Sequence, residues 1–224
     1  MKWGESTKHM KNERKIYCFL GLPGSGKGTQ AELLAEEIGA VMFETGDMIR
    51  EEISSCDLTD PFCVEIKQKY EKGIPQPDEV VFDIIQKRLT ATNKSVIFDN
   101  FPFSEKQAEL FIKYCKDNHI SNPSLIIINI DKDTSINRIV HRKVCSGCGE
   151  IYIDKESTIC EKCGNALITR SDDNIETVEN RINYYQPRIN ETRSIFVSNG
   201  YKIIEINGEQ SVKEVYKQIK KRIS

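Results

Sequence analysis

The chain has 224 residues, enough for one large α/β domain with small insertions and a substantial buried core. Its 32 basic and 34 acidic residues give a net charge of -2, which excludes a global field that would draw it to nucleic acid or an anionic membrane. No apolar run approaches the length of a membrane span, and residues 1–14 are polar without the apolar segment of a secretory signal. We therefore expect a loose tail at residues 1–14 of a cytoplasmic protein.

Five short segments rich in β-branched and aromatic residues alternate with helical patterns along the chain. They span residues 15–20, 41–44, 95–99, 124–130 and 201–206. This alternation predicts an α/β fold with a five-stranded parallel sheet and helices on both faces. Ligands of such folds bind at the carboxyl ends of the strands, so we expect the functional site at that edge.

The first predicted strand leads directly into a glycine-rich turn followed by good helix formers. The turn has the spacing of a phosphate-binding loop, formed by Gly21, Gly24, Gly26 and Lys27. Backbone N–H groups, the start of the helix and the lysine would together bind a polyphosphate. The usual hydroxyl residue comes one position late, because Gly28 precedes Thr29. An ordinary glycine-rich turn is the alternative interpretation.

Polar residues follow the second and third predicted strands. Thr45 and Asp47 are candidate caps of a helix over 46–54, and Arg50 lies one turn into it, where it could reach an anion. That helix and another over 62–72 form a small insertion off the sheet edge, which ends at residues 73–77. Asp99 ends the third strand, where a carboxylate would face phosphates through Mg²⁺ or its waters. The alternative is a carboxylate that only caps the next helix.

Five arginines exceed what a nearly neutral surface needs and suit the phosphates of two nucleotides; they are Arg50, Arg138, Arg142, Arg170 and Arg181. We expect Arg138 and Arg142 on one face of a helix, because they are four residues apart.

Four cysteines form two Cys-x-x-Cys-Gly units, Cys145 with Cys148 and Cys160 with Cys163. Each unit aims two thiolates at one ion, so the set predicts a tetrahedral zinc whose role is structural, since no coordination position is left open. The remaining cysteines, Cys18, Cys56, Cys63 and Cys115, are expected to be reduced thiols.

Together these motifs resemble the adenylate kinase family, in the long-lid form with a zinc-bearing lid. The resemblance covers Lys15 to the end and rests on residues 21–30, 45–50, 99–102 with Gln107, 138–142, the four cysteines, 170–173 and 180–181. The Gly28-Thr29 order is the family's own form of the loop. The resemblance implies a P-loop NTPase fold, a monomer, and reversible Mg²⁺-dependent transfer of the terminal phosphoryl group of ATP to AMP, giving two ADP.

The resemblance also implies residue roles. The ATP site would comprise Gly24, Ser25, Gly26, Lys27, Gly28, Thr29, Arg138 and Arg142. The AMP site would comprise Thr45, Arg50, Gln107, Arg170 and Arg181. Asp47 and Asp99 would order the waters of Mg²⁺, and Lys27, Asp99, Arg142, Arg170 and Arg181 would be catalytic. The core would comprise residues 15–43, 74–140 and 174–224, with an acceptor-binding flap at 44–73 and a zinc lid at 141–173.

The acceptor side departs from the family pattern. The family's Asp-Gly-Phe-Pro-Arg reads Asp-Asn-Phe-Pro-Phe at residues 99–103, so Asn100 replaces a glycine and Phe103 replaces the arginine that grips the acceptor phosphate. His141 replaces a glycine at the lid hinge, and residues 75–77 alter the segment that lines the base. Lys106, one turn further along, is a possible substitute for the arginine.

Three further interpretations stay open. The chain could phosphorylate another nucleoside monophosphate, although Thr45 and Gln107 fit adenine. It could be a paralogue that binds nucleotide as a sensor without efficient transfer, although the phosphate-binding residues are retained. A nucleic-acid-binding zinc ribbon is the weakest of the three, because acidic residues balance the lysines around the cysteines.

Overall fold

A computed structural model describes residues 14–55, 57, 59–71, 74–153, 156–170 and 173–223. The strands are β1 (Ile16–Gly21), β2 (Val41–Glu44), β3 (Val96–Asp99), β4 (Ser124–Asn129), β5 (Arg142–Cys145), β6 (Ile151–Ile153), β7 (Leu167–Ile168) and β8 (Lys202–Asn207). The helices are α1 (Lys27–Ile38), α2 (Thr45–Ser55), α3 (Pro61–Glu71), α4 (Asp78–Thr90), α5 (Glu105–Asp117), α6 (Lys132–Val140), α7 (Ile175–Ser198) and α8 (Val212–Ile223). The predicted tail lies outside the described residues except for Arg14, whose guanidinium donates to the Leu89 and Lys94 carbonyls.

The main sheet has five parallel strands in the order β2-β3-β1-β4-β8, which confirms the predicted fold class. The chain leaves central β1 for the β2 side and later crosses to β4 on the other side. Strand order therefore reverses at β1, and the glycine-rich turn after β1 lies at the point where such sheets bind ligands.

Side chains that alternate along the strands build a separate core on each face of the sheet. On β1, Ile16, Cys18 and Leu20 pack into the larger core, which includes residues of α4, α5 and α7. Tyr17 and Phe19 point the other way and pack with residues of α1 and α8. The two buried faces explain why the central strands are apolar at nearly every position.

A second, three-stranded antiparallel sheet in the order β6-β5-β7 carries the cysteines. Cys145, Cys160 and Leu167 are buried together against Tyr152. On the other face Val144 lies opposite Ile151 and Ile168. This sheet lies within residues 141–173, the segment to which the resemblance assigns the lid, and it is called the lid below.

Two sequence-based expectations about local structure are wrong. Arg138 and Arg142 do not share a helix, since α6 ends at Val140 and Arg142 begins β5. The residues from Arg142 to Cys145 pair with two neighbouring strands, so sheet pairing outweighs the helical spacing. The thiol of Cys63 is not reduced, because this residue is disulfide-bonded. Cys56 lies outside the described residues, whereas Cys18 and Cys115 are free and buried, as expected.

Within the described part of the chain, the helices lack the combination of length and apolar content that crossing a bilayer requires.

Candidate active site

The phosphate loop connects β1 to α1 and is braced from the side by α6. Gly24 and Gly26 have φ angles of 75° and 85°, which favour glycine. The Ser135 hydroxyl donates to the Pro23 carbonyl over 2.6 Å, and Arg138 Nη1 donates to the Gly24 carbonyl over 3.2 Å. These bonds orient the loop before any phosphate binds, and α1 begins at Lys27 directly behind it.

Arg138 also fixes one wall of the candidate donor site. Its Nη2 atom donates to the Gly208 carbonyl over 2.9 Å, so one guanidinium joins the phosphate loop to the turn between β8 and α8. The two hydrogen bonds use the edge of the guanidinium and hold it in place. Its flat face stays beside the loop, an arrangement that suits stacking on a nucleobase.

The order Gly28-Thr29 has a structural reason. A Cβ atom at position 28 would lie 3.0 Å from Asp99 Oδ2, closer than nine in ten natural Cβ contacts. In P-loop proteins with a hydroxyl residue at this position, that hydroxyl binds Mg²⁺ directly. Here the carboxylate of Asp99 occupies the neighbouring space, and glycine makes room for it.

Asp99 lies at the carboxyl end of β3 and is largely buried. Burial raises the pKa of its carboxyl group, whereas the nearby Lys27 ammonium lowers it. Asp99 Oδ1 has no hydrogen-bond partner among the described residues. A buried carboxylate oxygen without a donor, next to the lysine of the glycine-rich loop, fits a role in holding the waters of a magnesium ion.

Further unpartnered oxygens surround this edge of the sheet. Glu44 of β2 lies opposite Asp99 of β3, so Thr45 and Asn100 follow on neighbouring strands. Three such buried side-chain atoms, each without a hydrogen bond to the described residues, are Ser25 Oγ, Thr45 Oγ1 and Asn100 Oδ1. Buried polar groups are rarely left unsatisfied, so their concentration here indicates that a polar ligand completes the site.

Two residues assigned to the acceptor have partners within the protein. Arg50 forms an ion pair with Asp47, one turn earlier on α2, with both side chains about half exposed. Gln107 donates from Nε2 to Asp78 Oδ1 over 2.8 Å and accepts from the Phe103 amide over 2.9 Å. Its amide is therefore held in one orientation in the free protein.

Asn100 adopts a φ of 62°, in the left-handed region. This conformation explains why glycine suits the position, and asparagine is among the residues that tolerate it best. The substitution therefore keeps the backbone path and adds an amide group to the site.

Arg142 is the first residue of the lid sheet and is held by a buried carboxylate. Its Nε and Nη2 atoms donate to Asp173 Oδ2 and Oδ1 over 2.9 and 2.5 Å, and only 11% of the Arg142 side chain and none of the Asp173 side chain is exposed. Continuing the register of β5 and β7 by two residues brings Arg142 opposite Arg170. The bidentate pair leaves three of the five N–H donors of Arg142 for a phosphate.

Arg181 lies on α7 after its first turn, and Thr29 lies in the first turn of α1.

The lid approaches α1. Burial raises the pKa of Glu32 on α1, and the carboxylates of Asp99 and lid residue Glu150 raise it further. The lid therefore lies close to the helix that carries Lys27.

The four lid cysteines form one compact cluster, with their sulfur atoms all within 4.8 Å of one another. The Sγ atoms of Cys145 and Cys163 are 3.3 Å apart, and those of Cys148 and Cys160 are 3.7 Å apart. Four thiolates at about 2.3 Å from a tetrahedral zinc lie roughly 3.8 Å from each other, so this cluster could hold a zinc ion. A hydrogen bond from the Tyr152 hydroxyl lowers the pKa of Cys160 to about 6, which favours the thiolate that a metal requires.

Sequence reasoning assigned no role to Asp173 or to the aromatic residues on α7. Asp173 lay within a quoted motif, but only the fold shows that it faces Arg142. Tyr184 and Tyr185 carried a recognisable signal, since they lie between Arg181 and Arg188 at helical spacing.

Comparison with known proteins agrees with this site. The family model described as "Adenylate kinase" matches residues 19–200. An adenylate kinase of Carboxydothermus hydrogenoformans is 33% identical over 209 residues, which cover 90% of this chain and 96% of the relative. Adenylate kinases of Thermoanaerobacter pseudethanolicus and Clostridium novyi are 35% and 34% identical, over 92% of this chain and 96% of each relative. This chain therefore belongs to the adenylate kinase family.

Proposed function

We propose that this protein catalyses the reversible, Mg²⁺-dependent transfer of the terminal phosphoryl group of ATP to AMP, giving two ADP. The observation that carries the proposal is the grouping at one sheet edge of the phosphate loop, the unpartnered carboxylate oxygen of Asp99 and the buried hydroxyl of Thr45. Family membership supports a phosphotransferase of this kind.

The protein's task in phosphoryl transfer is to position the nucleotides and to stabilise charge. Lys27 and the loop amides would bind the donor phosphates, and Arg138 would lie against the donor base. Arg142, Arg170 and Arg181 would surround the phosphoryl group in transfer. Mg²⁺, when bound, supplies positive charge to the phosphates, and Asp99 and Asp47 would hold its waters. Lid and flap would exclude water, which otherwise competes as the acceptor.

On the acceptor side, Arg50 would bind the phosphate, while Thr45 and Gln107 would contact the base. Arg50 and Gln107 would bind the nucleotide with the N–H donors that Asp47 and Asp78 leave unused, or by exchanging those partners. The zinc in the lid would have a structural role only, because four cysteine ligands leave no open position. A monomeric state and a cytoplasmic location remain proposals, and the first can be tested by light scattering.

A second candidate is a kinase for another nucleoside monophosphate. Gln76 donates from Nε2 to the Ile66 carbonyl over 2.8 Å, which leaves its buried Oε1 without a partner. Together with Asn100 it adds hydrogen-bonding groups on the acceptor side. Because every nucleobase, adenine included, presents N–H donors, these groups leave the choice of base open.

A coupled assay of ADP formation from ATP with AMP, dAMP, CMP, UMP and GMP tests both candidates. We expect AMP to give the highest kcat/KM. A clear preference for another acceptor would establish the second candidate. Absence of transfer with every acceptor would instead favour a nucleotide-binding sensor.

The assay should include Lys27→Ala and Arg142→Ala. Loss of an arginine that stabilises the transferring phosphoryl group costs roughly 10³- to 10⁵-fold in related chemistry, so both variants should be nearly inactive. Arg193→Ala is a suitable control, because Arg193 pairs with Glu205 on an exposed part of α7. Wild-type kcat in either test variant would contradict the role assigned to that residue.

A further inference from the structure

Residues 99–103, called the acceptor loop below, carry an aromatic ring at Phe103, where a positive charge would serve phosphate binding. The Phe103 amide donates to Gln107 Oε1, which holds this point of the loop. Its ring lies 4.4 Å from that of Tyr185 and 5.9 Å from that of Tyr184, between centroids. The acceptor loop is therefore packed against α7.

One face of α7 carries two arginines and two tyrosines in a regular pattern. Arg181, Tyr184, Tyr185 and Arg188 have the spacing i, i+3, i+4 and i+7, which places them on one stripe of the helix. Lys27 Nζ lies 5.6 Å from the centre of the Tyr185 ring. This stripe therefore faces the phosphate loop as well as the acceptor loop.

The Arg188 side chain extends back along α7 toward Tyr184, whose ring contacts that of Phe103. Its guanidinium carbon lies 3.6 Å from the centre of the Tyr184 ring, and its Nη1 atom donates to the Tyr184 carbonyl over 3.3 Å. Helical side chains tilt toward the N-terminus, so the charged group lies about one turn before its own Cα, beside the ring that contacts Phe103.

Arg188 also has the donors that a phosphate needs. Of the carboxylates in the described part of the chain, none forms an ion pair with it. Stacking on Tyr184 uses the flat face of the guanidinium, and one N–H bonds the Tyr184 carbonyl, so the other edge donors remain available.

Lys106 is a weaker substitute for the missing arginine. Its Nζ atom lies 4.0 Å from Glu79 Oε1, with both side chains more than half exposed, so it extends from α5 toward α4. Phe103 packs instead against the tyrosines of α7, whereas Lys106 extends toward α4.

We propose that Arg188 binds the phosphate of the acceptor nucleoside monophosphate and supplies the charge that Phe103 lacks. This inference rests on the proposed function. Tyr184 holds the guanidinium in place, and Phe103 fills the space of the arginine side chain that the loop does not carry. The protein would thus recognise the acceptor phosphate from α7, with Arg181 and Arg188 on the same stripe.

The test compares Arg188→Ala and Arg188→Lys with the wild-type protein. We expect Arg188→Ala to raise both the KM and the calorimetric Kd for AMP roughly ten- to hundredfold, since a charge-assisted hydrogen bond is lost, while the KM for ATP stays within about twofold. Arg188→Lys should lie between, because a point charge keeps attraction without the forked geometry. Arg193→Ala, five residues along the same helix, should leave both constants unchanged.

Rescue provides the decisive comparison. Adding Phe103→Arg to Arg188→Ala should restore most of the affinity for AMP, because it returns a positive charge beside Tyr184. An unchanged acceptor KM and Kd in Arg188→Ala, or no rescue in a double variant that melts like the wild type, would overturn the inference.

The outcome is separable from that of the proposed function. If the wild-type protein forms ADP and Arg188→Ala matches it, only the role of Arg188 fails. If the wild-type protein binds AMP without transferring phosphate, the proposed function fails, and the calorimetric comparison of the Arg188 variants still decides whether Arg188 binds the phosphate.

Discussion

The pair between Arg142 and Asp173 gives a sharp test of how the lid arginine is positioned. In Asp173→Asn the shape of the side chain stays while its charge is lost, and one of the two oxygens that accept from Arg142 becomes an N–H donor. A buried guanidinium would then lack its counter-charge. Breaking such a buried pair costs roughly 3 to 5 kcal/mol. Because Asn keeps one acceptor, we expect about 3 kcal/mol, or roughly 6 to 12 °C in Tm for a chain of this size.

Activity should fall as well, because Arg142 would no longer be aimed by two bonds. Misplacement of a positioning group by about 1 Å can cost roughly a hundredfold in rate, and we expect kcat for ADP formation to fall by about that factor. Glu179→Gln is the matched control, since Glu179 pairs with Lys132 over 2.8 Å with both side chains about half exposed. Exposed pairs contribute below about 1 kcal/mol.

A double-mutant cycle with Arg142→Ala tests the mechanism itself. If Asp173 acts through Arg142, then removing its charge from Arg142→Ala should cause little further loss of kcat. Independent, additive losses would show that Asp173 contributes by another route. Wild-type Tm and kcat in Asp173→Asn would refute the reasoning.

Three other predictions concern the phosphate loop, Asp99 and the lid. Gly28→Ser should lower kcat by about tenfold, because its Cβ would push the Asp99 carboxylate aside by a few tenths of an ångström; activity equal to the wild type would contradict this. Burial raises the pKa of Asp99, so its ionised form costs stability above that pKa and the cost disappears as the pH falls. Asp99→Asn should therefore raise Tm at pH 7.5, and by less as the pH falls toward about 4, while lowering activity; a lower Tm at pH 7.5 would argue against it. Protein purified without added zinc should contain about one zinc per chain, and a chelator or Cys145→Ser should remove it and lower Tm; equal melting of metal-free and metal-bound protein would exclude a stabilising zinc.

Most of the architecture is readable from the sequence because its signals are local. The five apolar segments, the glycine-rich turn and the paired cysteines each depend on neighbouring residues, and all three predictions agree with the structure. The boundary between Arg138 and Arg142 was not readable, since a spacing of four fits a helix equally well and only pairing with β6 and β7 makes Arg142 part of a strand.

Contacts between segments that are far apart in the sequence could not be predicted either, because no local pattern records them. The sequence predicts that Asp99 faces phosphates bound by the loop, but nothing near Gly28 shows that this carboxylate, 71 residues later, lies against it. The same holds for Asp173 beside Arg142 and for Phe103 beside Tyr185. Whether Cys63 is reduced was also misjudged, because its surroundings in the sequence are those of an ordinary helix.

The bond between Arg142 and Asp173 has a mechanical consequence. The two residues lie at the two ends of the segment that carries the cysteines, so their pairing joins both ends at a single point. A segment whose two ends are joined at one point can turn as a single body about that point. The residues between them, which include the four cysteines, would then move further than Arg142 itself. Under the proposed function, this segment would open to exchange nucleotides while Arg142 stays beside the phosphates.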